Sequence, residues 1–151
     1  MKKIYFFLAI ISLLIAAKLF FIRPANKEVT LKLELIEKEI REMGYRPIWF
    51  MISGRRDKIL TLISYNNKKK GSPHLKGIAI DIEVIDIDGD WDFDEKDISI
   101  FETANKSVEL KNPSLRGNMG TYRGPNSDWL EWHQIHIDTK GKSRRYNQNI
   151  Y

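Results

Sequence analysis

The sequence predicts one domain that mixes helices with strands, set behind an N-terminal hydrophobic segment. Three observations point there. Apolar residues recur at helical spacing from Glu28 to Met43, two apolar runs at Pro47 to Ser53 and Ile78 to Ile85 read as strands, and an uncharged stretch from Ile4 to Ala17 follows a short basic start. A length of 151 residues holds one domain and a leader but not two full domains. Apolar content of 42% and charged content of 30% are ordinary for a folded chain. The absence of cysteine excludes disulfides, thiolate zinc ligands and a lipid anchor on Cys, and leaves export open.

Met1 to Lys3 and Ile4 to Ala17 have the form of the basic and hydrophobic regions of an export signal. Lys18 interrupts the run, and Leu19 to Ile22 resume it before Arg23 and Pro24. One reading is a signal peptide cut after Ala17. The favoured reading is an uncleaved anchor, in which residues 4 to 22, at about 1.5 Å each, cross roughly 30 Å of hydrocarbon while Lys18 snorkels to the outer interface. Lys2 and Lys3 stay inside by the positive-inside rule, so the domain, residues 28 to 151, lies outside the cytoplasmic membrane either way: anchored to it, or secreted if the leader is removed. The net charge of +5 resides in this leader. Residues 1 to 27 carry Lys2, Lys3, Lys18, Arg23 and Lys27 and no acid, which leaves 20 of the 25 basic residues facing all 20 acids. A neutral domain argues against a nucleic-acid partner, and the basic clusters Lys68 to Lys70 and Lys140 to Arg145 read as solvated surface. A monomer is expected.

Within the domain, Val29, Leu33, Ile36, Ile40 and Met43 give the first helix a core-packing stripe, and Gly44 offers its stop. Pro47 to Ser53 reads as a buried strand that ends in Ser53-Gly54-Arg55-Arg56. Leu60 to Tyr65 reads as a short helix and Asn66 to Gly71 as a polar loop. The stretch Ser72 to Ile82 then places His74 and Asp81 on a loop and the strand behind it, rigid enough for an imidazole and a carboxylate to share one metal ion. Those are two of the usual three protein ligands of a catalytic zinc.

An acidic run, Asp86-Ile-Asp-Gly-Asp-Trp-Asp-Phe-Asp-Glu-Lys-Asp97, follows. Counted from Asp86, acids fall at 1, 3, 5, 7, 9 and 12, the ligand positions of an EF-hand loop, with Phe93 at the apolar position 8 and a helix able to follow from Glu95. Asp86, Asp88, Asp90, Asp92 and Asp97 are therefore candidate calcium ligands. Position 6, which wants glycine for its sharp turn, is Trp91, and position 12 is Asp instead of Glu, so the alternative is a solvated acidic turn. Ile98 to Ala104 continues a helix, and Lys111 to Asn126, rich in Gly, Asn and Pro, reads as a long loop over or beside the cleft. The segment Ser127 to Asp138 carries His133 and His136, the other two of the three histidines. If it forms a strand, His136 and Gln134 share one face and His133 takes the other.

Ser72, His74, Gly77, Ala79 and Asp81 match every fixed position of Ser-x-His-x-x-Gly-x-Ala-x-Asp. The chain thereby resembles peptidase family M15: zinc D-alanyl-D-alanine carboxypeptidases, D,D-dipeptidases and murein endopeptidases, with the zinc-binding hedgehog domain as a cousin. Ile135-His136-Ile137-Asp138-Thr139 is similar to the family's late Val-His-x-Asp-Thr-Gly, which makes His136 the third zinc ligand. His133 competes for that place, because Trp132-His133 resembles the Trp-His pair of the carboxypeptidases. Ser53-Gly54-Arg55-Arg56 resembles a Ser-Gly-Tyr-Arg strand end and makes Arg56 the substrate-holding guanidinium. A base must take a proton from the attacking water and hand it to the leaving amine. Glu131 is the first choice, His133 the second and Asp128 the third, since the position three before His136, where the family commonly has an acid, holds a histidine.

The resemblance spans roughly residues 46 to 140 and implies an α+β fold, a small antiparallel sheet carrying the site with helices on one side. It implies a zinc peptidase acting on peptidoglycan peptides that contain D-amino acids. The rival expectation is a non-catalytic, membrane-tethered binding module that depends on zinc and calcium.

Overall fold

The computed structural model describes residues 25–55, 72–123, 132–142 and 144–147. The expected leader, the short helix at Leu60 to Tyr65 and the candidates Arg56, Asp128 and Glu131 lie outside the described residues. Among the described residues, no helix is long and apolar enough to cross a membrane.

The elements run α1 (Lys27–Glu42), β1 (Ile48–Ser53), a 3-10 turn (Pro73–Lys76), β2 (Ala79–Asp86), α2 (Glu95–Lys111), a second 3-10 turn (Pro113–Leu115), β3 (Asn118–Thr121), β4 (Gln134–Asp138) and β5 (Arg144–Asn147). The fold is α+β, with the strands in one sheet of order β1-β2-β4-β3-β5. The first four strands pair antiparallel, as expected. β5 instead pairs parallel with β3, because the chain leaving β4 passes the start of β3 and returns on its far side. Gly117 makes that crossing possible: a Cβ there would lie 1.9 Å from the carbonyl oxygen of Asp138. The Gly141 amide donates to the Arg116 carbonyl at 2.8 Å and fixes the crossing.

Alternation along β2 divides the molecule into a core and a site. Ile80, Ile82 and Val84 join Ile135 and Ile137 of β4 and Met119 of β3 in the core, against Val29, Ile36 and Ile40 of α1 and Phe101, Ala104 and Val108 of α2. Each fully buried branched side chain contributes about 1.5–3 kcal/mol. Asp81 and Glu83 alternate with these residues and take the opposite face of the strand.

Several expectations need correction. β1 is not buried: Ile48, Phe50 and Met51 are exposed because β1 is an edge strand. The stretch Lys111 to Asn126 is not one long loop, since it holds the second 3-10 turn and β3, a strand too short and glycine-rich to show a period. The second helix starts at Glu95, as expected, but runs on to Lys111, and β5 takes up part of the Lys140 to Arg145 cluster. Met43, expected on the packed stripe, is exposed as the residue that caps the end of α1, just before Gly44.

The buried face of α1 includes a residue that hydropathy places outside. Lys32 is fully buried, and its ammonium donates to Glu109 Oε1 of α2 at 2.8 Å and to the carbonyl of Asp138 at 2.9 Å. Burial draws its pKa below the usual lysine value, against the pull of Glu109 and Asp138. Glu109 also accepts from the Gly117 amide at 3.2 Å, so one ion pair ties both helices to the ends of β3 and β4. Removing one partner of a buried pair strands the other charge. Lys32→Met is therefore expected to lower unfolding stability by about 3–5 kcal/mol in urea titrations, and a loss under about 1 kcal/mol would contradict this role.

Candidate metal centre

The chain builds the site from three directions. Pro73–Lys76 winds into one 3-10 turn that Gly77 closes in the left-handed conformation, φ 72°. The Asn26 amide donates to the Gly77 carbonyl at 2.7 Å, and a Cβ on Gly77 would stand 2.8 Å from Asn26 Oδ1, so the fixed glycine both turns the chain and lets the start of α1 approach. This turn holds His74 over β2. In the sheet, Asp81 of β2 stands directly opposite His136 of β4. A register irregularity in β1 between Met51 and Ser53 precedes Gly54, whose carbonyl accepts from His74 Nδ1 at 2.9 Å. That bond assigns the proton to Nδ1 and leaves the Nε2 lone pair for the site.

His74, Asp81 and His136 are 3%, 0% and 3% exposed. His74 Nε2 lies 3.2 Å from His136 Nδ1 and 3.2 Å from Asp81 Oδ2, and His136 Nδ1 lies 2.7 Å from Asp81 Oδ1. A tetrahedral zinc with bonds of about 2.0–2.1 Å sets its ligand atoms about 3.3 Å apart. The two imidazole nitrogens already stand at about that separation, and each lies within 3.2 Å of one oxygen of the Asp81 carboxylate. The three side chains can therefore hold a metal ion, and two imidazoles with one carboxylate form a zinc-type donor set.

Outer partners fix each ligand. His136 turns Nε2 toward Asp138 Oδ2 at 3.7 Å, which leaves Nδ1 facing the other donors. Asp138 is itself held by the backbone amides of Asn118 at 2.7 Å and Lys140 at 3.0 Å. Tyr122 Oη donates to Asp81 Oδ1 at 3.2 Å. Burial pulls the His136 pKa down, but Asp138 and Asp81 outweigh it and raise it to about 8. Burial works the other way on Asp81, yet both histidines hold its carboxyl far below the usual range, and His136 and Asn118 help bring Asp138 down to about 2. Without a cation the cluster gathers a proton to balance its carboxylates, and a divalent ion supplies that charge instead.

His133 is not among the converging atoms. It precedes β4 and sets its ring beside Phe93, centroids 5.8 Å apart. Arg55 is described and exposed, whereas Arg56 and Glu131 are not described. Tyr122 had no sequence signal, because its segment reads as loop, while Asp138 stood inside the late motif.

The acidic run forms a second group, with Asp86, Asp88 and Asp97 presenting oxygens within 4.8 Å of one another. These carboxylates are engaged by the chain itself. Asp86 Oδ1 accepts from the Gly89 amide at 2.8 Å, Asp97 accepts from Ile87 at 2.9 Å and from Asp94 at 2.9 Å, and Lys96 pairs with Asp88 at 2.5 Å. Asp90 and Asp92 are exposed and turn to the amides of Asp92 at 3.0 Å and Phe93 at 2.8 Å. Trp91 takes φ 67°, the left-handed conformation that glycine favours at that loop position. Asp94 and Asp97 cap α2 reciprocally.

No family model matches the chain, and no curated protein matches it significantly. The geometry of the site stands on its own.

Zinc at 100-fold over its dissociation constant stabilises a protein that binds it by about 2.7 kcal/mol. Thermal unfolding of the full chain should therefore shift upward by several degrees on adding zinc, and His136→Ala should lose the shift. An equal shift in the variant would move zinc to another site.

Proposed function

We propose that the chain is a zinc-dependent peptidase that cleaves peptidoglycan peptide stems or crosslinks containing D-amino acids, outside the cytoplasmic membrane. The observation that carries the reading is the spacing of His74 Nε2, His136 Nδ1 and Asp81, close to the edge of a zinc tetrahedron. The match of Ser72, His74, Gly77, Ala79 and Asp81 to the M15 motif supplies the substrate class and the hedgehog-like form of the sheet. The hydrophobic N-terminal segment supplies the location.

Zinc, when bound, lowers the pKa of water and polarises the scissile carbonyl. The chain's own groups do the rest. His74 and His136 offer neutral imidazoles whose second nitrogens face Gly54 and Asp138, and Asp81 balances the charge. Glu131 is the proposed base that takes the proton of the attacking water and returns it to the leaving amine, with His133 as its substitute. Arg56 is the proposed guanidinium that grips the substrate carboxylate or the developing oxyanion through two parallel hydrogen bonds. A second reading, a non-catalytic module that binds zinc and calcium, draws on the grouping of Asp86, Asp88 and Asp97.

Murein digestion separates the two. The full-length protein with zinc should release peptide fragments, chelator should stop the release, and Glu131→Ala should lower the rate by about 100-fold or more with zinc still bound. Zinc binding without release from any murein tested would overturn the peptidase reading in favour of the binding module.

A further inference from the structure

The start of α1 is fastened to the turn that carries a metal ligand. Ala25 packs against the core. Beside it, the Asn26 backbone amide donates to the Gly77 carbonyl at 2.7 Å, and the Asn26 side-chain amide donates to the Lys76 carbonyl at 3.3 Å. The Asn26 carbonyl accepts from the Thr30 amide at 3.2 Å, so the same residue opens the helix. Gly77 in turn donates to the His74 carbonyl at 3.0 Å. The apolar run read as an anchor ends at Ile22, four residues before Asn26. Four residues reach at most about 14 Å in any conformation. Only Arg23 and Pro24 separate the run from Ala25, and proline fixes one of the few torsions between them. Lys27 and Lys76, both exposed, are basic residues of this junction, with the acid Glu28 beside them. A third, Arg55, is exposed too, and its Cδ lies 3.4 Å from where a Cβ on Gly77 would stand. Cations at such a place suit phosphate-bearing lipid headgroups.

We infer that the metal centre is held at the membrane surface, and that its substrate is a peptide attached by lipid to that same membrane. The covalent limit carries the first part: a run that spans the bilayer and ends at Ile22 leaves the His74 turn no length of chain on which to move away. The second part rests on the peptidase reading and follows from the first. Site and peptide confined to one surface layer meet at a raised effective concentration, whereas wall crosslinks beyond the reach of this leash do not meet His74 at all.

The chain has no cysteine, so Lys76→Cys or Lys38→Cys accepts a single thiol-reactive fluorophore. Lys76 lies on the ligand turn, and Lys38 is exposed on α1, twelve residues or about 18 Å along the helix from Asn26. Each full-length protein is reconstituted in vesicles of phosphatidylglycerol and phosphatidylethanolamine that carry a nitroxide quencher on the headgroup. Quenching should be stronger at position 76 than at position 38. A Gly-Ser linker of about 20 residues inserted after Arg23, with an r.m.s. span of about 25 Å, should abolish that difference. Equal quenching at the two positions without the linker overturns the inference, and so does a leader found removed when the protein extracted from cells is weighed by mass spectrometry. For the substrate, a stem peptide ending in D-alanyl-D-alanine and coupled to lipid in the same vesicles should be cleaved at least about tenfold faster than an equal amount of peptide in isolated sacculi, and the linker should narrow that ratio. Equal rates overturn the substrate assignment. Stronger quenching at position 76 with neither peptide cleaved supports the placement while the peptidase reading fails, and the substrate assignment with it. Cleavage with equal quenching overturns the placement and leaves the peptidase reading standing.

Discussion

The register of β2 on β4 is the constraint on which the rest depends. Asp81 opposite His136, with Ile80 and Ile82 beside Ile137 and Ile135, puts a carboxylate and an imidazole on one face and four apolar side chains on the other. A slip of one residue would send both site residues into the core and the isoleucines out, a change no local adjustment could offset. Hydrophobic burial, which is non-directional, thus fixes a directional site. The contact of Gly77 with Asn26 and the bond from His74 to the Gly54 carbonyl then anchor the 3-10 turn and bring His74 over the pair.

The polar residues behind the sheet serve the same end. Lys32, Glu109 and the Asp138 carbonyl form a buried connection between the two helices and the end of β4, two residues past His136. Isolated burial of such charges costs more than it returns, so their value here lies in fixing where β4 ends and β3 begins. Asp138 does two tasks from one position: its carboxylate closes the start of β3 through Asn118 and faces the second nitrogen of His136. Ligand orientation and strand crossing are therefore coupled.

Much of this was legible in the sequence where residue type and local spacing act together. The fixed positions Ser72 to Asp81 and the late Ile135 to Thr139 give the three metal-site side chains, and Gly77 and Ala79 have visible steric reasons. α1 and β2 followed from their periods. Illegible were features that depend on contacts distant in sequence. Lys32 reads as a surface lysine until Glu109, far along the chain, arrives beside it. β3 and β5 are four residues each, too short to display alternation; β3 forms against β4, and β5 against β3. The exposure of β1 depends on its place at the sheet edge, which composition does not encode. Tyr122 acquires its role only when β3 delivers it to Asp81. In the acidic run, the sequence showed the loss of glycine at the turn but not that Trp91 would adopt the glycine conformation regardless.

X-ray absorption at the zinc edge on the zinc-loaded full chain tests the central claim most directly. The account predicts a four-coordinate shell with two imidazole nitrogens at about 2.0–2.1 Å and one carboxylate oxygen at a similar distance, and loss of the imidazole signature in His74→Ala/His136→Ala. A shell made only of oxygens would put the metal in the acidic run instead and contradict the assignment of His74, Asp81 and His136.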